Sequence, residues 1–205
     1  MRPARSRQLI FTLLCLGVLC ALPAQAEEPL PEGVTRAAEA TFGNDVGQLT
    51  YYTPAPFDNI KSSLDYGALI ATNRQFVLST ALLFGTDLGL FSRLHLEFGP
   101  KVYMAFLEGS EAKNNVLALS GGVTARFDIS RSWGLAAFGS FFYSPNVLTF
   151  GTANNLYDAI AGAEARLASQ LVGVAGYRWL KFTINLQPNN KISNELFVGI
   201  RWQFR

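Results

Sequence analysis

The sequence predicts an all-β protein, a small antiparallel β-barrel that spans a membrane. Three observations predict this fold: an export leader, repeated segments of alternating polarity, and an amphipathic last segment. That last segment, Asn194–Arg205, is the clearest, because every second residue from Leu196 to Phe204 is apolar while the other face carries Arg201. One wholly apolar face beside a mixed face is typical of a strand in an outer-membrane barrel.

The leader occupies residues 1–26 and has the pattern of a secretory signal peptide. Arg2, Arg5 and Arg7 give a positive start, an apolar run extends from Leu9 to Leu22, and Ala24–Ala26 is a small-x-small cleavage site. The apolar run is too short to span a bilayer as a helix. We therefore expect export and cleavage after Ala26.

Removing the leader changes the charge and the cysteine content of the chain. Lys plus Arg falls from 17 to 14 against 15 Asp plus Glu, so the mature net charge is about −1. The sequence therefore gives no support to nucleic-acid binding. Cys15 and Cys20 leave with the leader, so disulfides are excluded from the mature domain. We expect residues 27–33 to be a periplasmic lead-in and residues 34–205 to form the barrel.

The first predicted strands form an irregular hairpin. Asn44–Asp45 is either a tight turn between Thr35–Gly43 and Val46–Thr53 or part of one long irregular strand. Thr53–Pro56 should end this ladder, because proline has no N–H to donate. Accepting the hairpin gives ten strands, an even number as bacterial barrels require, whereas leaving one early pair outside the wall gives eight.

The next three strands follow in chain order with clear alternation. Lys61–Thr72 and Gln75–Gly85 each place their large apolar residues on one face. Arg93–Leu107 does so most regularly, with Pro100 as an interruption and a second face that mixes small residues with opposite charges. A soluble barrel of the lipocalin type would bury such apolar faces around a ligand, whereas a membrane barrel turns them to lipid.

The second half continues the pattern. It contains the predicted strands Val116–Asp128, Trp133–Ser144, Tyr157–Leu167, Leu171–Thr183 and Asn194–Arg205. Each has one face of apolar or alanine residues and one face that holds charges or small residues. This repetition, more than any single segment, favours the barrel.

The connections assign the two sides of the membrane. Counting back from a periplasmic C-terminus, the short turns Ala168–Gln170 and Ile129–Ser132 lie inside. The longer loops Glu108–Asn115, Ser144–Leu156 and Leu186–Ser193 lie outside, as membrane barrels usually arrange them.

Three short segments resemble a known family. They are the run Phe138–Pro145 (FGSFFYSP), Gly162–Ala163 with Arg166, and Gly176–Trp179 (GYRW), and together they are similar to the closing half of the YfaZ-like outer-membrane proteins. The resemblance is best over Trp133–Arg205. It implies a small outer-membrane barrel without an established activity, and it transfers no catalytic residue.

The inward faces carry the candidate functional residues. These are Asp65, His95, Glu97, Lys101, Arg126, Asp158, Glu164, Arg166, Arg178 and Arg201. We expect them to pair and fill a narrow lumen, because a barrel of this size is mostly packed inside and buried charges need partners. The alternative is a narrow pore that favours anions.

A lipid-cleaving enzyme is a further alternative, but the residues argue against it. His95 and Glu97 share a face, and Ser79 or Ser92 could be a nucleophile, yet neither serine lies in a recognisable motif. His95 should face the lumen rather than lipid. After removal of the leader, the mature chain has one histidine and no cysteine, too few ligands of these types for a typical transition-metal site. The sequence also has no recognisable cofactor motif, so neither a metal nor a cofactor is expected.

Large aromatic residues fall near the predicted strand ends. They are Trp133, Tyr177, Trp179, Trp202 and Phe204. We interpret them as an interfacial girdle rather than a ligand-stacking surface. The sequence as a whole predicts a monomeric surface or structural barrel, whose partners are outer-membrane lipids, lipopolysaccharide and, during insertion, the outer-membrane assembly machinery.

Overall fold

The computed structural model describes most of the predicted barrel. The described residues are 36–57, 61–72, 75–87, 93–108, 113–151, 153–184 and 187–204. The predicted signal peptide and lead-in lie outside them. Within the described part, none of the helical structure is long and apolar enough to cross a membrane.

Eleven strands form one antiparallel sheet. Their bounds are β1 Arg36–Phe42, β2 Val46–Pro54, β3 Ser62–Ala71, β4 Phe76–Asp87, β5 Leu94–Glu108, β6 Lys113–Ser130, β7 Leu135–Ser144, β8 Thr149–Gly151, β9 Ala153–Ala168, β10 Leu171–Ile184 and β11 Gln187–Phe204. β1 pairs with both β2 and β11, and β5 pairs with β6, so the sheet closes on itself. The wall has ten strand positions, which confirms the ten-strand prediction over eight.

The short strand β8 shares a position in the wall with β7, because both pair with β6. The pairing of β7 with β6 ends at Tyr143 opposite Gly121. A single 3-10 turn at Asn146–Leu148 follows, and β8 then pairs with β6 further along, at Val116–Ala118. The prediction of a loop over Ser144–Leu156 was therefore wrong for much of its length, because the chain re-joins the wall after one turn.

Two other predicted outer loops are also shorter than the sequence indicated. β11 begins at Gln187, and its ladder with β10 continues through bulges, so most of Leu186–Ser193 is strand. Glu108 ends β5 and Lys113–Asn115 belong to β6, so only residues 109–112 separate the strands, outside the described residues. Strands that project past the lipid need not alternate in polarity, which hides their ends from a pattern search. At the other end, Trp133 lies in the turn before β7, beside Gly134 with φ +57°.

The wall orients its faces as predicted for a membrane barrel. Large apolar side chains on the outside are exposed, for example Leu196 at 71% and Phe98 at 53% of their full accessible surface. Side chains from the other face, such as Phe197 and Tyr103, are buried. A lipocalin-type barrel would show the reverse, with the apolar faces turned inward.

An apolar core fills the interior at one end. Its buried members come from eight strands: Val46, Leu69, Ala71, Val77, Tyr103, Ala105, Leu107, Val116, Ala118, Ala153, Leu156, Leu180, Phe182 and Ile192. We call this cluster the apolar plug. It lies at the end where β3 turns into β4 and β10 turns into β11, which we call the loop end. The opposite end, where β1 begins and β11 finishes, is the terminal end.

Candidate functional site

The interior changes from apolar to polar within one inward step on several strands. Along β4 the step is from Val77 to Ser79, and along β10 it is from Leu180 to Arg178. Beyond this boundary, toward the terminal end, lies a cavity of about 360 Å³. Ala37 and Gln203, which pair with each other near the ends of β1 and β11, line it, so the cavity reaches toward the terminal end.

A chain of ion pairs crosses the cavity wall. Arg201 on β11 contacts Glu39 on β1 at 2.7 Å and Glu164 on β9 at 2.7 Å. Glu164 also accepts from Nε of Arg126 on β6 at 2.6 Å, and Arg126 pairs with Asp128 at 2.6 Å. The network therefore ties together four strands that are distant in sequence. Each carboxylate in it has a cation, as groups removed from water require.

A second ion pair lies next to the apolar plug. The Lys101 ammonium is 3.0 Å from Asp158 Oδ2, and the Tyr103 hydroxyl donates to the same oxygen at 2.6 Å. Lys101 also lies over the Phe142 ring at 4.9 Å from its centroid. These groups are largely shielded from solvent. The ion pair crosses the lumen from β5 to β9 and packs against Phe142 of β7.

Arg178 is placed differently from the other cations. Its side chain is 4% exposed, and its Nη2 donates to Thr41 Oγ1 at 3.5 Å, a long hydrogen bond. The guanidinium lies over the Phe197 ring at 4.9 Å, while Nε has no hydrogen-bond partner. Among the described residues, the ion pairs involve other cations and not Arg178.

Two carboxylates line the same cavity without an ion pair to a described residue. Asp65 on β3 has a buried Oδ1 that no donor reaches, and Glu97 lies on β5. The interior thus contains a network in which every charged group has an ion pair, and a separate set of charges without a close ion pair to a described residue, which we call the unbalanced charges. Arg178 carries the positive charge of that set, and Asp65 and Glu97 carry the negative charges.

The structure brings together nine of the ten predicted inward residues and leaves one apart. Arg166 packs against Gly134 in the β6–β7 turn and does not line the cavity. Sequence reasoning missed three residues of the interior: Glu39, Asp128 and Tyr52. The Arg201 guanidinium lies over the Tyr52 ring, with Cζ 5.3 Å from the ring centroid. Asp128 could have been found, because it shares the strand face of Arg126. Glu39 could not, since alanines occupy both faces of β1 around it and give no polarity pattern to read.

Of the residues considered for catalysis, His95 and Ser79 line the cavity. His95 Nε2 is 3.5 Å from Asp128 Oδ2, and both side chains belong to the interior. Ser79 lines the cavity on β4, and Ser92 lies outside the described residues. No group of three or more potential metal ligands occurs in the described part of the chain.

The aromatic residues predicted as a girdle lie at two levels of the outer surface. Trp202 and Phe204 end β11 at the terminal end, 6.1 Å apart between ring centroids, and Trp133 lies at the same end. Trp179 lies further along β10, where it stacks on Tyr157 at 6.0 Å. Tyr177 beside it donates to Asn194 Oδ1 at 2.6 Å. Their outward position fits the interpretation as two interfacial belts.

Comparisons with known proteins give one family and one described structure. The family model described as YfaZ precursor matches residues 70–204. No curated protein sequence matches the chain. Among solved structures, the fold is similar to a chain described as "Bacterial polysaccharide outer membrane secretin", with a TM-score of 0.45 and 13% identity, over 80% of this chain and 57% of that one. The chain thus spans little more than half the length of that structure.

Proposed function

Because this chain belongs to the YfaZ precursor family and forms a closed barrel, we propose that it is an outer-membrane protein whose lumen is sealed. In this proposal the protein is a surface or structural barrel and not a channel. It inserts as a monomer through the outer-membrane assembly machinery, and its outer wall contacts membrane lipids and lipopolysaccharide.

The observation that carries the proposal is the apolar plug. Alanines at positions 105 and 118 and the large side chains Leu156 and Phe182 are all 0% exposed, although they point into the barrel. Small inward residues are fully buried only where other side chains fill the space around them. A water-filled pore would instead leave polar, hydrated side chains at this level.

The orientation of the outer face supports the location. Val198, Ile200 and Trp202 on β11 are each at least half exposed. On β5 and β6, which pair with each other, Phe106 and Leu117 are also exposed. Apolar surface of this extent around a closed wall is stable in hydrocarbon and costly in water.

Single-channel recording in planar bilayers tests the sealed lumen. We expect the wild-type barrel to produce no current steps. The double variant Leu156→Ala/Phe182→Ala, which removes bulk from the centre of the apolar plug, should produce them. The matched control is Leu196→Ala on the outer face, which should stay silent.

A conducting wild type would contradict the sealed lumen and favour the narrow anion channel. In that case the selectivity should depend on cavity cations, and Arg178→Met or Arg126→Met should reduce the preference for anions. Conductance that is unchanged in both variants and equal for anions and cations would exclude the anion channel as well.

We also propose that the protein has no catalytic role. His95 faces the interior, whereas acyl chains of membrane lipids contact the outer wall. The wild type and His95→Ala should both leave phospholipid and lipopolysaccharide acyl chains intact. Hydrolysis by the wild type that His95→Ala abolishes would overturn this proposal.

A further inference from the structure

The unbalanced charges in the cavity lie on nearly opposite walls. In the ring of ten strand positions, β4 is diametrically opposite β10, and β3 and β5 flank β4. Arg178 lies on β10, whereas Asp65 and Glu97 lie on β3 and β5. The cavity therefore has a positive side and a negative side that face each other.

Arg178 is a donor group without an adequate acceptor. It is almost completely buried, and among the described residues its one hydrogen bond is 3.5 Å long and its Nε has no acceptor. Asp158 and Glu39 are near enough to interact with it electrostatically, but their close ion pairs are with Lys101 and Arg201. A guanidinium has five N–H donors in a planar fork, which suits a carboxylate. The free edge of Arg178 therefore requires an anionic group from elsewhere.

The opposite wall needs a cation. Asp65 Oδ1 is buried and accepts no hydrogen bond from a described residue. Lys101 and Arg201 are near enough to interact with Asp65 electrostatically, but their close ion pairs are with other carboxylates. Glu97 has no ion pair to a described residue. Between them β4 contributes two small side chains, Ser79 and Ala81, which also line the cavity. A buried carboxylate without a partner is destabilising, so an ammonium group placed there would be bound tightly.

Apolar and aromatic side chains form another part of a lining that is otherwise polar. Phe138, Phe142 and Phe197 line the cavity, together with Ile160. The volume of about 360 Å³ lies at the lower end of the range of small-molecule sites, roughly 300–1,000 Å³. The cavity is thus large enough for a small organic molecule with an apolar body but not for an oligomer.

We propose that this cavity binds a small zwitterion of the α-amino-acid class. Its carboxylate would contact Arg178 near the apolar plug, its ammonium would contact Asp65 and Glu97, and its side chain would pack on the phenylalanine rings. The ligand enters from the terminal end. This binding site is an inference beyond the proposed function. It rests on the proposed sealed lumen in one respect, the end from which the ligand enters.

Isothermal titration of the folded barrel in detergent tests the site with three probes of one shape. L-phenylalanine carries both charges, L-phenyllactate lacks the ammonium, and phenethylamine lacks the carboxylate. We expect L-phenylalanine to bind at least about tenfold more tightly than either analogue, since each lost charge-assisted contact weakens binding by about that factor.

Two variants should each remove one preference. Arg178→Met should bind L-phenylalanine and phenethylamine equally, and Asp65→Asn should bind L-phenylalanine and L-phenyllactate equally. The matched controls are Arg166→Met, outside the cavity, and Asp45→Asn, in the exposed β1–β2 turn. Both controls should keep the wild-type preferences. Heat-dependent migration on gels identifies folded protein in every sample.

The proposal is overturned if folded wild type fails to bind L-phenylalanine, or binds it no better than the two analogues. It is also overturned if both folded variants keep the wild-type preferences. Should a variant fail to fold, the comparison of the three probes on wild type decides alone. In detergent the terminal end of the barrel faces solvent whether or not the plug seals the other end, so a failure to bind is distinct from a failure of the seal in bilayers.

Discussion

Arg201 on the last strand forms an ion pair with Glu39 on the first, with Nη2 2.7 Å from Oε2, across the seam where the barrel closes. The two residues are 162 positions apart in sequence. The same guanidinium also contacts Glu164, so one side chain connects the seam to the rest of the ion-pair network. Backbone hydrogen bonds between β1 and β11 close the seam, and this ion pair adds a side-chain contact across it inside the barrel.

Removing the cation should destabilise the seam. Arg201→Met leaves Glu39 and Glu164 partly unpaired in a buried position, so we expect a loss of about 3 kcal/mol in the free energy of unfolding. Arg201→Met/Glu39→Gln should recover part of it, because one uncompensated charge is then removed. Urea unfolding in lipid vesicles measures both values. The control Arg166→Met should change stability by less than about 0.5 kcal/mol, and strictly additive effects of the two seam substitutions would contradict the pairing.

A charge on the outer face should be far more costly than the same charge beyond the lipid. Val198→Arg places a guanidinium on the apolar face of β11 and should destabilise the barrel by about 2–4 kcal/mol. Val147→Arg is the matched control, because Val147 is 80% exposed in the 3-10 turn after β7. Its effect should be near zero. Equal costs at the two positions, measured by unfolding in vesicles, would mean that Val198 does not face hydrocarbon.

Gly176 should not tolerate a side chain. A Cβ at this position would lie 2.8 Å from Cζ of Phe197, the ring on which Arg178 rests, and 2.6 Å from the carbonyl oxygen of Ala161. Gly176→Ala should therefore cost about 1–3 kcal/mol through overpacking. Gly121→Ala is the control, since a Cβ there meets nothing within 4 Å. The measurement is again the free energy of unfolding, and similar values for the two glycines would remove the steric argument.

The strands were predictable where lipid imposes the pattern. On β5, each second side chain must be apolar to face hydrocarbon, and the structure confirms that alternation on both sides of Pro100. Beyond the lipid, the requirement that every second side chain be apolar no longer applies. The first residues of β6 and β11 are polar and look like loops, although backbone pairing with β5 and β10 keeps them in strands. Backbone hydrogen bonds leave little trace in the choice of side chain.

The interior was predictable by face but not by partner. Alternation places Arg126, Glu164 and Arg201 on inward faces, and all three line the cavity. Which of them meet depends on strand order and register, which a single sequence does not encode locally. Arg166 shows the limit, because it shares the face of Glu164 but lies one step nearer the terminal end, beside Gly134.

The short segments that suggested the family have physical roles in the structure. In the GYRW segment, Gly176 leaves room for Phe197, Arg178 lies over that ring, and Trp179 stacks outside on Tyr157. Ser144, in the FGSFFYSP segment, donates to the Leu119 carbonyl at 2.8 Å and lies 2.9 Å from the Thr149 hydroxyl. It thereby holds the turn that lets β8 re-join the wall.

The apolar plug is built from the strands of the wall, since its side chains project from eight of them. If the plug seals the lumen as proposed, the connections at that end can change in length or composition without opening a leak. Surface-exposed hairpins are under pressure to vary wherever phages or antibodies recognise them. A barrel whose seal does not depend on its hairpins can change the surface that those hairpins present without becoming permeable.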